Sequence, residues 1–327
     1  METKRLRLVR PALHGEPFRP KMPWFLFPCT ISGMKNRALL LTFVLVSLRV
    51  WGEFDPNGLV VLHTDYGADS VYVGVLKGAI YKAFPQARID AITNSVPPFD
   101  ILAGAQMLAE AAGEFPAGCV FCCVVDPGVG TSRKRIVLEA KSGHVFVAPD
   151  NGLLTLAARR LGVVQIREIA NTALWRGGEV SHTFHGRDIF GPVSAALGRG
   201  VPLSEIGPPL ESMVTLDIRE PRIEAGKIVG AVIRSDPYGN LITNITAEHL
   251  SKIGLAIGDA AEVQVGAARF SAPWVGAYGA VAEGARLLVV QSSGYVELAV
   301  NMRSLAEAIG EGLHARVTIS KPAAPPK

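Results

Sequence analysis

The chain has 327 residues, of which 49% are hydrophobic and 19% are charged. This length and apolar content exclude an intrinsically disordered chain and provide enough residues for two domains. The formal net charge is only +4 at pH 7, and no basic block with interleaved aromatic residues follows the first 37 residues. The sequence therefore predicts no nucleic-acid partner.

Residues 1–57 differ in composition from the rest and are predicted to form a basic tail that leads into a signal-like hydrophobic segment. Met34-Lys35-Asn36-Arg37 precedes a run of uncharged, mostly apolar residues at 38–48, and the segment ends near Gly52. This order is typical of a signal peptide, and the run is shorter than the ~20 residues that span a bilayer. Residues 34–52 thus indicate export to the periplasm or membrane tethering. A cytoplasmic location and either start codon, Met1 or Met34, stay open.

A regular alternation of strands and helices begins at residue 58. An apolar strand at residues 59–62 is followed by a helix at Val71–Ala83, a strand at 89–92 and an Ala- and Leu-rich helix at 101–112. The next strand is the apolar run at 122–125, and a hairpin and further helices follow it. Such alternation predicts an α/β domain over residues 58–215, with a mostly parallel sheet flanked by helices.

Three cysteines, Cys119, Cys122 and Cys123, lie in or beside this last strand, and Cys29 precedes the folded region. An odd number of thiols in one hydrophobic strand indicates buried free cysteines, not a disulfide framework. A metal site is the alternative for this spacing, but the sequence has no second cluster to complete one.

Two polar clusters lie where ligands collect in such a sheet. Asp126 ends the strand at 122–125, the Pro127-Gly128 pair predicts a tight turn, and Arg133 follows. The second cluster, at residues 181–188, contains two histidines, an arginine and an aspartate before a predicted helix at 189–197. Ligands bind outside the carboxyl ends of parallel strands, so both clusters are active-site candidates. A salt-bridged turn is the alternative for the first cluster.

A proline-rich passage at residues 207–221 predicts a domain boundary, with a linker at residues 216–226. Beyond it, short apolar runs separated by Gly and Ser turns predict a smaller β-barrel-like domain at residues 227–320. Residues 321–327 are predicted to be a disordered tail. No membrane span is predicted in the folded part.

Five motifs, in order along the chain, together resemble one protein family. They are Thr64-Asp65-Tyr66-Gly67, Asp126-Pro127-Gly128-Val129-Gly130, His185-Gly186-Arg187-Asp188, Asp236-Pro237-Tyr238-Gly239-Asn240 and Ser292-Ser293-Gly294-Tyr295. The chain resembles the S-adenosylmethionine (SAM) hydrolase family, also called SAM hydroxide adenosyltransferases. This is the hydrolytic branch of the superfamily that includes the fluorinase and the chlorinase. The resemblance extends over residues 58–319.

The resemblance implies an N-terminal α/β domain, a C-terminal β-barrel domain and a homotrimer whose active sites form between subunits. It implies attack of water at C5′ of SAM, which yields adenosine and methionine, with no metal and no redox cofactor. Asp126, Arg133 and His185 correspond to the catalytic trio. In this interpretation Arg133 favours the ionised form of the water, while Asp126 and His185 orient it and accept its proton.

The resemblance also implies a set of substrate contacts. In the α/β domain, Asp65 holds the ribose hydroxyls and the methionine end lies near Asp69 and Ser70, while two aromatic residues pack against the substrate, Phe99 and Phe184. In the C-terminal domain, Tyr238 and Tyr278 stack on the adenine, and Asn240 bonds to the edge of the purine. Asp236 pairs with the methionine ammonium, and Ser292 and Ser293 hold the methionine carboxylate. The fluorinase has Arg where this chain has Ser293.

The same motifs favour hydrolysis over halogenation. Halogenases carry Tyr-Pro-Ala-Thr where this chain has Asp126-Pro127-Gly128-Val129. The carboxylate of Asp126 would repel a halide. Gly186 and Val129 lack the hydroxyl donors that would solvate a halide ion. Two other functions stay open: a metal-dependent hydrolase of another adenosine-containing substrate, and a non-catalytic SAM or adenosine sensor. The metal ligands of the first would be two histidines and two aspartates, His182, His185, Asp126 and Asp188.

Overall fold

The structure is a computed structural model that describes residues 54–218 and 220–322. Cys29, the signal-like segment at residues 34–52 and residues 323–327 of the predicted tail lie outside the described residues. Within the described part of the chain, no helix combines the length and the apolar character needed to cross a membrane.

The first sheet of the molecule contains seven strands. They are β1 (Leu59–Thr64), β2 (Arg88–Thr93), β3 (Val120–Val124), β4 (Arg135–Ala140), β5 (Val145–Pro149), β6 (Val163–Glu168) and β7 (Pro209–Leu210). Their order is β2-β1-β3-β5-β4-β6-β7. The strands β2, β1, β3 and β5 are parallel, and β4, β6 and β7 extend the sheet by antiparallel pairing. The carboxyl ends of β1 and β3 therefore lie side by side.

Helices cover both faces of this sheet. They are α1 (Val71–Ala83), α2 (Ile101–Ala111), α3 (Thr155–Leu161) and α4 (Gly191–Gly198). The helices α1 and α4 share one buried core with alternate residues of β1, and α2 and α3 share another core with the remaining residues of β1. Because both faces are covered, β1 and β3 are continuous apolar runs rather than alternating ones.

The loops at the carboxyl ends of β1 and β2 are fixed by helix caps. Ser70 Oγ accepts a hydrogen bond of 3.2 Å from the Tyr72 backbone N–H at the start of α1. Asp100 Oδ1 accepts one of 2.9 Å from the Ala103 backbone N–H at the start of α2. Each cap satisfies a donor that the helix leaves unpaired, which fixes where the preceding loop ends.

A second, antiparallel sheet forms its own core near the C-terminus. Its strands are β8 (Arg222–Glu224), β9 (Lys227–Ser235), β10 (Leu241–Thr246), β11 (Ala260–Val265), β12 (Ala268–Pro273), β13 (Arg286–Val290), β14 (Tyr295–Val300) and β15 (Arg316–Ser320). The order is β12-β11-β15-β9-β10-β14-β13, and β8 pairs with β9. The Val275 N–H donates to the Leu288 carbonyl over 2.8 Å, so the two ends of the sheet meet and nearly close a barrel. Two short helices lie on it, α5 (Ala247–Lys252) and α6 (Leu305–Ile309).

The predicted fold class, an α/β domain followed by a smaller β-barrel-like domain, is confirmed. The sequence alone does not predict β6, β7, β8 or β12. The last of these does alternate, with Phe270 and Ala272 buried and Arg269 and Ser271 exposed, so a period-2 signal is present but covers only four residues. The first two residues of the predicted helix at 189–197 belong instead to a π-helical turn, Gly186–Phe190, which continues directly into α4.

Candidate active site

Three side chains from separate loops meet beside the end of β3. The Arg133 Nε donates to Asp126 Oδ1 over 2.8 Å, and its Nη2 contacts Asp126 Oδ2. The same Nη2 lies 2.9 Å from His185 Nδ1. The structure thus brings together the three residues that the sequence nominates as catalytic, with Arg133 between the other two.

This trio is buried, and burial determines the state of its histidine. The Arg133 and Asp126 side chains are 9% and 5% exposed. Burial lowers the pKa of His185, and the nearby positive charges of Arg133 and Arg135 lower it further. The imidazole is therefore neutral at pH 7. A guanidinium can only donate, so Nδ1 of His185 accepts from Arg133 and the ring proton lies on Nε2.

The turn that carries Arg133 packs tightly against the loop that carries His185. Gly130 has φ +79° in this turn. A Cβ atom there would overlap the carbonyl oxygen of His182. Only glycine meets both requirements, a left-handed backbone and this close approach. Gly130 thereby allows the two loops to come into contact.

A second anchor holds the histidine loop on its other side. The Asp188 carboxylate is 1% exposed and accepts hydrogen bonds from Arg187 Nε at 2.6 Å, Arg187 Nη2 at 2.8 Å and the Ser181 N–H at 2.9 Å. Asp188 belongs to the π-helical turn that follows His185. Such turns are common at functional sites, and here the turn directs His185 towards Arg133.

Two residues of the trio, Asp126 and His185, line a cavity of about 350 Å³, whereas Arg133 contacts both of them but does not line the cavity itself. Five of the predicted site residues line this cavity: Asp65, Phe99, Asp126, Phe184 and His185. The cavity lies outside the carboxyl ends of β1 and β3, which is where an α/β sheet binds ligands.

Asp65 and Phe99 form one wall of the cavity and are linked to each other. The Phe99 N–H donates to Asp65 Oδ2 over 3.0 Å. Burial raises the pKa of Asp65, and the charge of Asp126 contributes in the same direction. Phe99 has φ +67°, which is strained for an aromatic residue, and its ring is 72% exposed. Strain of this kind tends to occur at functional sites, where the surrounding structure holds it in place.

Asp69 and Ser70, two further predicted residues of the α/β domain, do not line the cavity. Asp69 and Ser70 are at the start of α1, where the Ser70 hydroxyl is occupied in capping the helix. Tyr66 and Tyr72, which the sequence does not single out, do line the cavity. A signal for Tyr66 was present, since it lies next to Asp65 within a recognised motif.

None of the predicted residues of the C-terminal domain lines this cavity. Asp236 uses its carboxylate within its own turn, where it accepts from the N–H groups of Tyr238 and Asn240 and from Asn240 Nδ2, each over 2.9 Å. The Tyr238 ring projects from this turn and is 77% exposed. Ser292 and Ser293 lie in the turn between β13 and β14.

A network of side-chain hydrogen bonds, which the sequence does not predict, connects two of these C-terminal residues. Glu297 on β14 is 2% exposed, and its carboxylate accepts from the Tyr278 hydroxyl at 2.7 Å and from Gln291 Nε2 at 2.6 Å. The Ser293 hydroxyl donates to Gln291 Oε1 over 2.6 Å. Burial raises the pKa of Glu297. The network fixes Tyr278 and Ser293 relative to one another.

Two alternatives from the sequence concern metal binding. Within residues 54–218 and 220–322, no three His, Cys, Asp or Glu side chains are grouped so that they could hold a metal ion. The four residues of the metal-dependent alternative do not form such a group. They are His182, His185, Asp126 and Asp188. Cys119, Cys122 and Cys123 are free and buried, as predicted.

Comparison with solved structures agrees with this architecture. The structure of an uncharacterized conserved protein from Thermotoga maritima has 41% sequence identity and a TM-score of 0.76, and the match covers 80% of this chain and 100% of that one. A conserved hypothetical protein from Thermus thermophilus has 30% identity and a TM-score of 0.62, with 80% and 98% covered.

Curated relatives and family models identify the family. The chain is 38% identical to an (R)-S-adenosyl-L-methionine hydrolase from Salinispora tropica, over 78% of this chain and 95% of that protein. A fluorinase from an Actinoplanes species is 26% identical, over 81% and 98%. The models of the SAM hydroxide adenosyltransferase N-terminal and C-terminal domains match residues 60–207 and 230–318. The chain therefore belongs to the SAM hydroxide adenosyltransferase family.

Proposed function

We propose that this chain hydrolyses S-adenosyl-L-methionine to adenosine and L-methionine by attack of water at C5′ of the substrate. Relatives named (R)-S-adenosyl-L-methionine hydrolase, from Salinispora tropica and Thermus thermophilus, support the reaction. The observation that carries the proposal is the buried Arg133 guanidinium, which contacts the Asp126 carboxylate and the His185 imidazole beside one cavity.

The difficulty of this reaction lies in the nucleophile. When the C5′–S bond breaks, the sulfonium becomes a neutral thioether, so the leaving group needs no acid. Neutral water is a weak nucleophile, and hydroxide is scarce at pH 7. The positive charge of Arg133 favours the ionised form of a water molecule held nearby. The buried position of the trio strengthens this effect, since solvent screens the charge less.

Asp126 is the proposed proton acceptor, and His185 is the proposed donor that orients the water. Nδ1 of His185 is occupied by Arg133, so the imidazole offers Nε2–H to the water oxygen and does not take up its proton. The proton passes to Asp126, the oxygen of the resulting hydroxide bonds to C5′, and the C5′–S electron pair leaves with methionine. The step is redox-neutral and yields adenosine, methionine and one proton. Holding the reacting atoms in line contributes at most about 7–11 kcal/mol to lowering the barrier.

The substrate contacts remain proposals. Asp65, on the cavity wall, suits the two ribose hydroxyls because a carboxylate provides two acceptor oxygens. Phe99 presents an exposed ring on which the substrate can pack. Asp69 and Ser70 are proposed to lie near the methionine end.

We also propose a homotrimer in which a second copy completes each site. The C-terminal residues assigned to adenine and methionine do not line the cavity of their own chain. Tyr238 and Tyr278, which are 77% and 43% exposed, are available to a neighbouring copy. Size-exclusion chromatography with light scattering tests this proposal, since a monomer with full activity would contradict it.

The signal-like segment at residues 34–52 is proposed to direct export or tethering. Because SAM is made in the cytoplasm, export and SAM hydrolysis are in conflict. Either the segment does not export the protein, or the exported protein acts on another adenosine-containing substrate. Sequencing the mature N-terminus from membrane, periplasmic and cytoplasmic fractions decides whether the segment is removed and from which start codon the chain begins.

The proposed reaction is tested by incubating the chain from residue 53 onward with SAM and separating the products by chromatography. Adenosine and methionine in equal amounts are expected, with loss of turnover in Arg133→Ala and retained turnover in the exposed control Arg222→Ala. Loss of activity with a chelator would favour the metal-dependent alternative. Binding of SAM without turnover by the wild type would indicate a sensor and contradict the proposal.

A further inference from the structure

Gly186 and Tyr66, which both line the cavity, pack directly against each other. A Cβ atom built on Gly186 would overlap the phenol oxygen of Tyr66, and the next nearest atoms are Tyr66 Cζ at 3.3 Å and Phe184 Cε2 at 3.4 Å. The Tyr66 hydroxyl therefore occupies the space that a side chain at position 186 would fill. The sequence alone indicates that Gly186 leaves the cavity without a hydroxyl donor at this point, whereas the fold supplies one from β1's loop, 120 positions earlier in the chain.

The ring of Tyr66 is held in place, and its hydroxyl is available. The ring makes edge-to-face contacts with Tyr72 and Phe184, with centroid distances of 6.1 Å and 5.7 Å. Tyr66 lines the cavity together with Asp126 and His185. Within residues 54–218 and 220–322, its hydroxyl forms no hydrogen bond, and the hydroxyl oxygen keeps some solvent-accessible surface. It is thus a preorganised donor that faces the cavity contents.

Burial, together with neighbouring negative charges, keeps this hydroxyl protonated. Burial raises the pKa of Tyr66 well above its ordinary value, and the thiol of Cys122 and the carboxylates of Asp65 and Asp126 act in the same direction. Arg133 opposes them more weakly. At neutral pH the phenol is therefore a donor and not a base.

We propose that Tyr66 is a further catalytic residue, whose hydroxyl donates a hydrogen bond to the oxygen of the attacking water. This inference rests on the proposed hydrolysis of SAM. A hydroxide ion has three lone pairs: one accepts from His185 Nε2–H, one accepts from Tyr66, and the third attacks C5′. The bond from Tyr66 strengthens as negative charge develops on the oxygen, so it stabilises the ionised nucleophile.

The first test compares Tyr66→Phe with wild type in steady-state SAM hydrolysis. Removal of one hydrogen bond to a charged group predicts a fall in kcat of about 10- to 100-fold. KM is expected to stay within about twofold, because the bond forms to the nucleophile and not to the substrate. The limb of the pH profile that reports ionisation of the nucleophile is expected to move to higher pH. The matched control Tyr81→Phe, on the exposed outer side of α1, is expected to keep the wild-type kcat.

A rescue experiment separates a hydroxyl requirement from packing. Gly186→Ser in the wild type brings a Cβ into overlap with the phenol oxygen, so activity falls. In Tyr66→Phe the phenol oxygen is gone, and the two remaining ring neighbours, at 3.3 Å and 3.4 Å, need to shift by only a few tenths of an ångström to admit the serine. The double variant Tyr66→Phe/Gly186→Ser restores a hydroxyl near the same point and is expected to exceed Tyr66→Phe in kcat.

The outcomes are distinct from those of the proposed function. A wild type that releases no adenosine from SAM contradicts the hydrolysis itself and this inference with it. A wild type that turns over SAM, together with Tyr66→Phe of equal kcat, overturns the inference alone. A fall in kcat with an unchanged pH profile, or a double variant no faster than Tyr66→Phe, assigns Tyr66 to packing and also overturns it.

Discussion

His63, at the end of β1, is expected to make the stability of the protein depend on pH. The side chain is completely buried, its Nε2 lies 2.9 Å from the Gly104 carbonyl on α2, and its Nδ1 has no partner among the described residues. Burial lowers the pKa of His63 from 6.5 to about 4, although the bond to Gly104 opposes this. The pKa difference of about 2.5 corresponds to about 3 kcal/mol, since one pKa unit is worth about 1.36 kcal/mol.

Protonation of His63 destabilises the folded state at acid pH. Between pH 6.5 and about 4 the unfolded chain binds the His63 proton and the folded chain does not. The free energy of unfolding therefore falls as pH decreases through this range and is unaffected by His63 above it. The substitution His63→Gln keeps an N–H donor for Gly104 but cannot titrate.

Urea denaturation followed by circular dichroism, at pH 7.5 and at pH 4.5, measures the effect. We expect the wild type to lose about 2–3 kcal/mol more than His63→Gln on acidification. The control His314→Gln, at a side chain that is 59% exposed, is expected to follow the wild type. An equal loss in wild type and His63→Gln would show that the buried imidazole is not the group that titrates.

Three further predictions concern the site. The kcat for adenosine release should fall on acidification with a midpoint below 6.5, because burial lowers the pKa of His185 and its protonated ring can no longer accept from Arg133; a midpoint above 6.5 would contradict this. Gly130→Ala should lower the melting temperature and abolish turnover, since it adds overlap with His182 to a cost of about 1–2 kcal/mol for its backbone. Gly178→Ala, with φ +97° but open space around it, should show only the backbone cost, so equal effects would exclude the overlap. Glu297→Leu should raise KM at least about tenfold with little change in kcat, because Tyr278 loses its acceptor and the trio is untouched. A fall in kcat alone would disprove this role of Glu297.

The elements that the sequence predicts well are those whose signal is local. The helix at Val71–Ala83 has the predicted bounds because its apolar spacing and the Ser70 cap are both written in consecutive residues. The strand β6 is different: it adds to the sheet antiparallel to β4, and only Ile166 within it is buried. Its position depends on the partner strand more than on its own pattern.

The site shows the same division between local and distant information. Asp126 and His185 belong to motifs, Arg133 lies three residues after one of them, and the structure brings the three into contact. The direction of the Arg133–His185 hydrogen bond, which leaves the ring proton on Nε2, requires the distance between two loops. Likewise, the fit of Tyr66 to Gly186 joins residues far apart in the chain, so neither residue alone predicts it.

The central claim is that water held by this trio attacks C5′ of SAM. Turnover in water enriched in oxygen-18, followed by mass spectrometry of both products, tests it most directly. Attack of water at C5′ is expected to give one heavy oxygen in adenosine, on the 5′-carbon, and none in methionine, with no product formed by Arg133→Ala. Heavy oxygen in an amino-acid product, or release of the nucleoside with its sulfur still attached, would exclude attack of water at C5′.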